Sequence, residues 1–332
     1  MRPDWQHGGA IDRMKTEFPQ APTPWIDLST GINPWPYRGS GMDAEVYDRL
    51  PTQAAFTNCR NALSEATNAP PESICLAPGS ELLIRLLPHL LSCRRVAILD
   101  PSYGDYSEVW RHAGSDVIET EDPLSLADSV DAVIVCNPNN PNGRVFDAGP
   151  LLRARERLAA RGGWLIVDEA YCDLTPSRSL AAHGGAEGLI ILRSFGKFYG
   201  LPGLRLGAIM APVDLLKRVS QLFGAWPVSS AALQIGAEAF RDQAWQRDTR
   251  AMLQSARQAL DLVLESNSMR VIGGTDLFRL IQADNADETW RHLAQAGLYV
   301  RHFENMPAHL RIGLPVNEIQ LARLNEALSL LA

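Results

Sequence analysis

A lysine in a glycine-rich, otherwise uncharged turn is the first sign of chemistry in this sequence. Lys197 lies in the stretch RSFGKFYGLPGLRLG, and Arg205 follows it eight positions later. A lysine that serves only solubility needs no such setting. The segment therefore indicates either a loop that binds phosphate or a lysine held for covalent chemistry, since a lysine amine can form a Schiff base with a carbonyl group.

Polar side chains also follow several short apolar runs, among them RVAILD, DAVIVC, GWLIVD and GLIILR. Such runs of aliphatic residues are typical of strands buried on both faces. In open parallel α/β sheets, ligands bind beyond the carboxyl ends of the strands. We therefore expect one sheet edge to gather the side chains that follow these runs: Tyr103, Asn140, Asp168, Tyr171, Ser194 and Lys197.

The residues around Lys197 do not match either of two common nucleotide-binding motifs. A P-loop requires G-x-x-x-x-G-K-[ST], but Phe198 follows Lys197 and Ile191 stands at the earlier glycine position. The glycines that come next have the wrong spacing for the dinucleotide fingerprint G-x-G-x-x-G. The sequence has no H-x-x-x-H, and its five cysteines form no C-x-x-C pair, so we predict no metal site.

What remains is a covalent role for Lys197 with pyridoxal phosphate. This cofactor requires a lysine for its aldehyde, an acid opposite the pyridine nitrogen, hydrogen bonds to the ring hydroxyl, and a phosphate site. Asp168 is the candidate acid, because a carboxylate there keeps the ring nitrogen protonated. Asn140 and Tyr171 are candidates for the ring hydroxyl, and Tyr103 is an aromatic side chain available to stack on the ring.

The phosphate site is predicted from two segments. The stretch APGSELLIRLL places Gly79, Ser80 and Glu81 at the start of a helix. Free backbone N–H groups and the helix dipole attract phosphate at such a position. Ser194 and Arg205 are expected to complete the site.

The order of the segments predicts an α/β fold with two domains. Strands alternate with helix-like segments such as GPLLRARERLAARG, which indicates a mostly parallel sheet flanked by helices. The last part of the chain changes to long amphipathic stretches with short strands, which predicts a smaller α+β domain. We expect an N-terminal arm over residues 1–40 that contributes to the small domain and the active site, a large domain over 41–218, and a small domain over 219–332.

The composition excludes several classes of protein. Apolar residues make up 46% and charged residues 21% of the 332 residues, as in ordinary soluble globular proteins. The net charge of −7 gives no general attraction to nucleic acid or to an anionic membrane. No apolar run reaches the roughly 18 residues that span a bilayer, and the first residues lack the apolar region of a signal peptide. The scattered cysteines favour a reduced, cytoplasmic setting.

Together, the motifs PNNPNG, VDEAYCDL and RSFGKFYGLPGLRLG resemble those of fold-type I pyridoxal-phosphate enzymes, in the branch with histidinol-phosphate aminotransferases and threonine-phosphate decarboxylases. The stretches APGSELL and PSYGDY occur in the same order as in that family. The resemblance implies a homodimer whose active site lies near the subunit interface. It also implies these roles: Lys197 as Schiff-base lysine, Asp168 on the pyridine nitrogen, Asn140 and Tyr171 on the ring hydroxyl, Tyr103 stacked on the ring, and Ser194 with Arg205 on the cofactor phosphate.

The sequence departs from this branch at two positions. The residue before the lysine is often serine in the branch, and here it is Gly196. Many relatives carry a tyrosine that reaches the neighbouring subunit's cofactor, at the position that here is Leu50. Tyr47 lies three residues earlier, and the sequence leaves open whether it takes the same role.

The N-terminal stretches WQHGGAIDRM and WIDLSTGINPWPY resemble the opening of threonine-phosphate decarboxylases of cobalamin biosynthesis. This resemblance implies decarboxylation of L-threonine O-3-phosphate to (R)-1-aminopropan-2-yl phosphate and CO2. It implies that His7 helps to bind the substrate phosphate and that Asn33 lies near the substrate. Arg301 would then meet the substrate phosphate and Arg311 its carboxylate, because a guanidinium fork suits both groups.

Two other functions stay open at this point. Histidinol-phosphate aminotransferase is the alternative within the same branch, because the cofactor alone does not choose between amino transfer and decarboxylation. A regulator that binds pyridoxal phosphate without catalysis is the alternative from another class. Such regulators usually carry a fused DNA-binding domain, and the sequence contains no basic segment for one.

Overall fold

The computed structural model describes residues 7–41 and 44–331, and its contacts divide the chain into two compact units. The large unit is Pro36–Ala244, and the small unit combines the residues up to Trp35 with those from Trp245 onward. An N-terminal segment thus joins the C-terminal unit, at a boundary close to the expected residue 40. The expected second boundary at residues 218 and 219 falls inside the helix Val213–Phe223, whereas the units divide at Ala244 and Trp245, near the start of the helix Gln243–Ser266.

The strands of the described residues are short, as the apolar runs predict. In chain order they are β1 (Ile26–Leu28), β2 (Ile74–Ala77), β3 (Arg95–Leu99), β4 (Asp116–Thr120), β5 (Ala132–Cys136), β6 (Trp164–Asp168), β7 (Leu189–Ser194), β8 (Gly207–Met210), β9 (Arg270–Thr275), β10 (Phe278–Gln282), β11 (Leu298–His302) and β12 (His309–Gly313).

The α-helices of the same residues lie between these strands and at both ends of the chain. They are α1 (Ile11–Glu17), α2 (Gln53–Thr67), α3 (Ser80–Leu90), α4 (Asp105–His112), α5 (Ala148–Ala159), α6 (Val213–Phe223), α7 (Ser230–Arg241), α8 (Gln243–Ser266), α9 (Ala286–Gln295) and α10 (Glu318–Ser329).

The large unit is built on one seven-stranded sheet in the order β2-β8-β7-β6-β5-β3-β4. The neighbouring pairs from β7 to β4 are parallel, whereas β8 runs antiparallel to both β7 and β2. The central strands are almost entirely buried, since every residue of β5 lies in the core. The expectation of a mostly parallel α/β sheet flanked by helices is therefore confirmed.

Helices α6 and α7 belong to the large unit because of what they pack against. Helix α7 lies along α2, and α6 contacts β2 at one edge of the sheet. Their apolar faces are buried in these contacts, with Leu215 and Val219 among the buried side chains of α6. This packing explains why the change of unit comes after α7 rather than at residue 219.

The small unit contains a five-stranded sheet in the order β1-β11-β12-β10-β9. Strand β1 comes from the N-terminal segment and pairs in parallel with β11, with Ile26 opposite Leu298. The other neighbouring pairs are antiparallel. The expected α+β character of this part of the chain is therefore confirmed. Within the described residues, none of the helices has the length and apolar character that crossing a membrane requires.

Candidate active site

The parallel strands of the large unit place their polar ends at one edge of the sheet. Asp168 is the last residue of β6 and lies in register with Cys136 on β5 and Leu192 on β7. The segment that carries Asn140 follows β5, and the turn that carries Lys197 follows β7. Because these strands run in the same direction, the expected convergence of their ends follows directly from the sheet register.

Asp168 is a buried carboxylate held by two donors. Asp168 is only 5% exposed. The Tyr106 hydroxyl donates to Oδ2 across 2.9 Å, and the Ala170 backbone N–H donates to Oδ1 across 3.0 Å. These two donors, with the Cys136 thiol 4.0 Å from Oδ2 as a weaker third, set the orientation of the carboxylate.

Burial raises the pKa of Asp168 to about 6, although the hydrogen bonds from Tyr106 and Ala170 and the charge of Lys197 act in the opposite direction. Glu81 adds to the increase by repulsion between like charges. A cation brought against this carboxylate would reverse the effect of burial, since an opposite charge favours the ionised form. The site is thus suited to a protonated ring nitrogen.

Lys197 and Tyr171 lie close together at the same edge. The Lys197 Nζ lies 5.9 Å from the centroid of the Tyr171 ring. Tyr171 is 4% exposed, while Lys197 is partly buried in the turn after β7. Ser194, the last residue of β7, is also partly buried. The structure therefore brings the candidate lysine together with one of the two candidates for the ring hydroxyl.

The glycine before the lysine has a steric reason. A Cβ atom at Gly196 would lie 2.8 Å from the Cα of Pro202, closer than side chains approach backbone atoms. The segment Pro202–Leu204 forms a 3-10 turn that folds back over this position. A serine at position 196 would require that turn to shift, so the departure from the related sequences follows from local packing.

The start of α3 forms a positively polarised site together with Arg205. Gly79 precedes the helix with φ of 86°, a conformation that favours glycine. A Cβ atom at Gly79 would lie 2.7 Å from Nη2 of Arg205, so the guanidinium covers the N-terminus of α3. A cation at the positive end of a helix dipole is unfavourable by itself. The arrangement is favourable when an anion such as phosphate binds to both the guanidinium and the helix N-terminus.

Glu81 and Tyr103 are joined by their side chains. The Tyr103 hydroxyl donates to Oε2 of Glu81 across 3.1 Å. Oε1 of Glu81 lies 2.8 Å from Nε of Arg85, one helical turn later. The carboxylate of Glu81 is therefore engaged elsewhere, so its contribution to an anion site is restricted to its backbone N–H. The Tyr103 ring meets the Tyr106 ring edge to face, with centroids 6.3 Å apart.

Two asparagines that the sequence analysis did not single out stabilise the turn that carries Asn140. Asn137 exchanges two hydrogen bonds with the backbone of Phe146, at 2.9 and 3.1 Å. Asn139 accepts a hydrogen bond from Ser102 and donates to the carbonyl of Pro101. Both are fully buried, whereas Asn140 is partly exposed. The motif thus divides into two buried residues that hold the turn and one, Asn140, that is partly exposed.

Arg193 forms a buried ion pair with Glu169, the residue after Asp168. This pair was not predicted from the sequence. Nη1 of Arg193 lies 2.9 Å from Oε2 of Glu169, and both side chains are buried. Glu169 also accepts hydrogen bonds from the Ser179 hydroxyl and the Leu180 backbone N–H, and Arg193 is paired with Asp173 as well. These contacts tie β7 to the loop that carries Tyr171. The signal in the sequence was a charged residue at the end of two otherwise apolar runs.

The small unit places its two candidate arginines directly opposite one another. Arg301 on β11 and Arg311 on β12 are register partners in an antiparallel pair. Both guanidinium groups lie near the Phe303 ring, at 5.2 and 5.9 Å from its centroid. Nη2 of Arg311 donates to the Ser29 carbonyl across 2.7 Å. Like charges at directly opposed positions destabilise a sheet, so this pairing favours an anionic ligand.

The N-terminal residues of the small unit contact the same sheet. The Tyr299 hydroxyl donates to the His7 carbonyl at 3.5 Å, and the Gly9 N–H donates to the Ser29 hydroxyl at 2.8 Å. The His7 side chain is exposed. Asn33 is 1% exposed, and its side-chain oxygen accepts a hydrogen bond from the Trp35 N–H. Asn33 therefore stabilises a turn.

Tyr47 and Leu50 both lie on the surface of the large unit, with exposed fractions of 68% and 62%. The cross-subunit role considered for Tyr47 thus stays a prediction.

Residues 38–328 of the chain match the family described as aminotransferase class I and II. A threonine-phosphate decarboxylase of Pseudomonas aeruginosa is 38% identical over 97% of each chain. A threonine-phosphate decarboxylase of a Sinorhizobium species is 37% identical, again over 97% of each chain.

The fold is also similar to solved structures. A histidinol-phosphate aminotransferase from Sinorhizobium meliloti, solved in complex with pyridoxal 5'-phosphate, superposes with a TM-score of 0.81. The match covers 98% of this chain and 95% of that one at 15% sequence identity, so it bears on the fold alone. The expected fold type is confirmed by this likeness together with the family match.

Proposed function

Because this chain belongs to the family of class I and class II aminotransferases, we propose that it is a pyridoxal-phosphate enzyme that decarboxylates L-threonine O-3-phosphate. The products are CO2 and (R)-1-aminopropan-2-yl phosphate, the linker of the nucleotide loop of cobalamin. Two relatives of nearly equal length that are named threonine-phosphate decarboxylase support this activity. The observation in the structure that supports it best is the pair of opposed arginines, Arg301 and Arg311.

The large unit offers a set of donors that fits pyridoxal phosphate. The Arg205 guanidinium, packed against Gly79 at the N-terminus of α3, suits the phosphate group. Asp168 suits the ring nitrogen, and Asn140 with Tyr171 suits the ring hydroxyl. When bound, the cofactor supplies an aldehyde for amines and a protonated ring that withdraws electrons from the substrate α-carbon.

The protein's own groups perform the remaining tasks. Lys197 would hold the cofactor through its aldehyde in the resting enzyme, and its amine would supply the proton that replaces the departing CO2 on the substrate α-carbon. Asp168, while ionised, would keep a proton on the ring nitrogen. Tyr103 would limit the movement of the ring by stacking. Ser80, Glu81 through its backbone N–H, and Ser194 add donors around the phosphate.

The anchors in the small unit determine which bond breaks. Decarboxylation requires the bond between the α-carbon and the carboxylate to stand perpendicular to the ring, and orientation of this kind is a main source of catalysis. We assign the substrate phosphate to Arg301 with His7 and the carboxylate to Arg311. Asn33 holds a turn of the N-terminal segment in the same unit. Two anchored ends leave the substrate one orientation about its α-carbon.

The proposal also covers the assembly of the protein and its location in the cell. We propose a homodimer in the cytoplasm, in which exposed apolar residues of the large unit meet the second copy. Tyr47, Leu50 and Trp226 are each more than half exposed, and exposed apolar patches commonly mark interaction surfaces. Leu50 also lines an open cavity of about 490 Å³ beside α2 and α7.

One assay tests the activity. The purified protein, loaded with pyridoxal phosphate, is incubated with L-threonine O-3-phosphate in the presence and absence of 2-oxoglutarate. The proposal predicts CO2 release that does not depend on the oxo acid. Amino transfer from histidinol phosphate to 2-oxoglutarate, without CO2 release from threonine phosphate, would assign the protein to the aminotransferase branch instead.

A further inference from the structure

We infer that Tyr106 is a positioning residue for the proposed reaction: its hydroxyl holds the Asp168 carboxylate in the ionised and oriented state that a protonated ring nitrogen requires. Tyr106 itself is not expected to touch the cofactor or the substrate. The inference rests on the proposed function for its catalytic meaning, but the contact between the two residues exists without the cofactor.

The contact of Tyr106 with Asp168 is made by its hydroxyl group. The Tyr106 oxygen lies 2.9 Å from Oδ2 of Asp168, and the two residues are 1% and 5% exposed. Tyr106 is in the first turn of α4, so the helix and the sheet are joined at this point. With Ala170 bound to Oδ1, the two donors prevent rotation of the carboxylate about its terminal bond.

Tyr106 remains the hydrogen-bond donor to Asp168 at neutral pH. Burial, and then the nearby charge of Asp168, raise the pKa of Tyr106 well above its usual value. The phenol therefore keeps its proton, and that proton points to a carboxylate that burial makes reluctant to ionise. A hydrogen bond to the charged form favours that form, so Tyr106 opposes the effect of burial on Asp168.

Other charged and titratable groups also face this carboxylate. Lys197 stabilises the ionised form, and Glu81 destabilises it. The Cys136 thiol lies 4.0 Å from Oδ2, and burial raises its pKa far above the neutral range. Tyr103 is close enough for Asp168 to raise its pKa. Lys197 and, as a weak and more distant donor, the Cys136 thiol act in the same direction as Tyr106. In the proposed enzyme, Lys197 is committed to the cofactor aldehyde.

The alternative explanation is that Tyr106 only fills the core. Its ring is part of the hydrophobic cluster beside the large sheet, with Trp110 and Val109 among its members. Tyr106→Phe keeps the ring and removes the hydroxyl, so it separates the two explanations. A core-filling role predicts no change in the titration of Asp168, whereas the proposed role predicts a higher pKa.

The test measures the pKa of Asp168 in the cofactor-free protein. The free energy of unfolding is determined by denaturant between pH 4 and 9 for the unmodified chain, Tyr106→Phe, Asp168→Asn and the double variant, at one protein concentration. Subtracting the Asp168→Asn curve from the curve of its parent, with tyrosine or phenylalanine at position 106, isolates Asp168. A carboxyl group whose pKa is raised by folding contributes stability that is lost as the pH rises to the folded pKa.

The decline in each difference curve ends at the folded pKa of Asp168. We expect it to end near pH 6 with tyrosine at position 106. With phenylalanine it should end about one to two pH units higher, the equivalent of one lost hydrogen bond to a charged group. Equal end points in the two curves would overturn the inference.

A second measurement does not depend on the substitution. Chain labelled with 3-fluorotyrosine carries a more acidic phenol, which is a stronger donor. The carboxyl carbon resonance of Asp168, identified by its loss in Asp168→Asn, should then titrate at a lower pH than in the unlabelled chain. An unchanged or higher titration point would contradict the role of the hydroxyl.

In the loaded enzyme, Tyr106→Phe should lower kcat for threonine phosphate and leave KM nearly unchanged, since the substrate anchors are intact. A raised KM at constant kcat would contradict the assigned role. If the titration shifts as expected but the unmodified enzyme releases no CO2 from threonine phosphate, the proposed function fails and the contact between Tyr106 and Asp168 stands. The experiments therefore separate a failure of the role inferred for Tyr106 from a failure of the proposed function.

Discussion

The Nζ atom of Lys197 lies 5.9 Å from the centroid of the Tyr171 ring. The two residues follow adjacent parallel strands, β6 and β7, whose register is continuous up to Asp168 and Leu192. The candidate lysine and the candidate phenol thus lie close together because neighbouring parallel strands end side by side. The following predictions test the groups gathered around this pair.

Reduction with borohydride should attach pyridoxal phosphate permanently to Lys197, because a lysine amine is the group that bonds covalently to the aldehyde. The chain contains only two other lysines, Lys15 and Lys217, and both are exposed. Mass spectrometry of the digested protein locates the modification. Lys197→Ala should bind the cofactor without covalent attachment and should release no CO2. A modified peptide that contains Lys15 or Lys217 as the main product would contradict the assignment.

Asp168→Asn should abolish most of the turnover while stabilising the cofactor-free chain at neutral pH. The amide cannot hold the ring proton by charge, so the electron-withdrawing power of the ring falls. Burial raises the pKa of Asp168 to about 6. Stability is therefore lost as the pH rises from about 4 to 6, and two pKa units correspond to about 3 kcal/mol.

Steady-state CO2 release and denaturant unfolding at pH 8 measure the two effects of Asp168→Asn. Circular dichroism verifies that the variant is folded. A folded variant with near-normal turnover would show that Asp168 serves only to cap the segment after β6.

Arg205→Ala should weaken the binding of pyridoxal phosphate, because the guanidinium beside Gly79 would no longer meet the phosphate. Hydrogen bonds to charged groups contribute about 1.5–3 kcal/mol, which corresponds to about 10- to 150-fold in the dissociation constant. Absorbance titration of the cofactor-free protein gives this constant. Pyridoxal, which lacks the phosphate, is the matched ligand and should bind both proteins alike. An equal loss for both ligands would assign Arg205 a structural role.

Arg301→Ala should weaken the binding of threonine phosphate by about 10- to 150-fold, because one charge-assisted contact is lost. Threonine itself should be affected little, because it has no phosphate to lose. Spectral titration of the loaded enzyme with both ligands gives the comparison. Arg291→Ala is the control, since this exposed arginine of the same unit pairs with Asp287 on the surface. Equal losses for threonine and its phosphate would remove Arg301 from the phosphate site.

Glu169→Gln should destabilise the large unit by about 3–5 kcal/mol, because removing one partner leaves the buried charge of Arg193 undercompensated. Denaturant unfolding at pH 7 measures the loss. Asp214→Asn breaks an exposed ion pair with Lys217 and should leave the unfolding midpoint unchanged, as surface pairs contribute little. Similar midpoints for both variants would mean that Asp173 alone satisfies Arg193.

The sequence by itself determined the strands of the large sheet and which polar residues follow them. Apolar runs such as AVIVC and LIILRS predicted buried strands, and these runs became β5 and β7. Lys197 was singled out by its glycine-rich, otherwise uncharged turn, and Asp168 and Tyr171 by their place at and shortly after the end of an apolar run. Local patterns of this kind are visible to sequence analysis since neighbouring residues and strand direction are enough to produce them.

Tertiary structure alone decided which side chains meet across long separations in the chain. Tyr106 reaches Asp168 although 62 residues separate them, and Arg301 faces Arg311 through the register of an antiparallel pair. The position of the division after α7 likewise follows from packing on α2. Such pairings depend on strand order, register and helix packing, which the types and spacing of residues in one sequence do not specify.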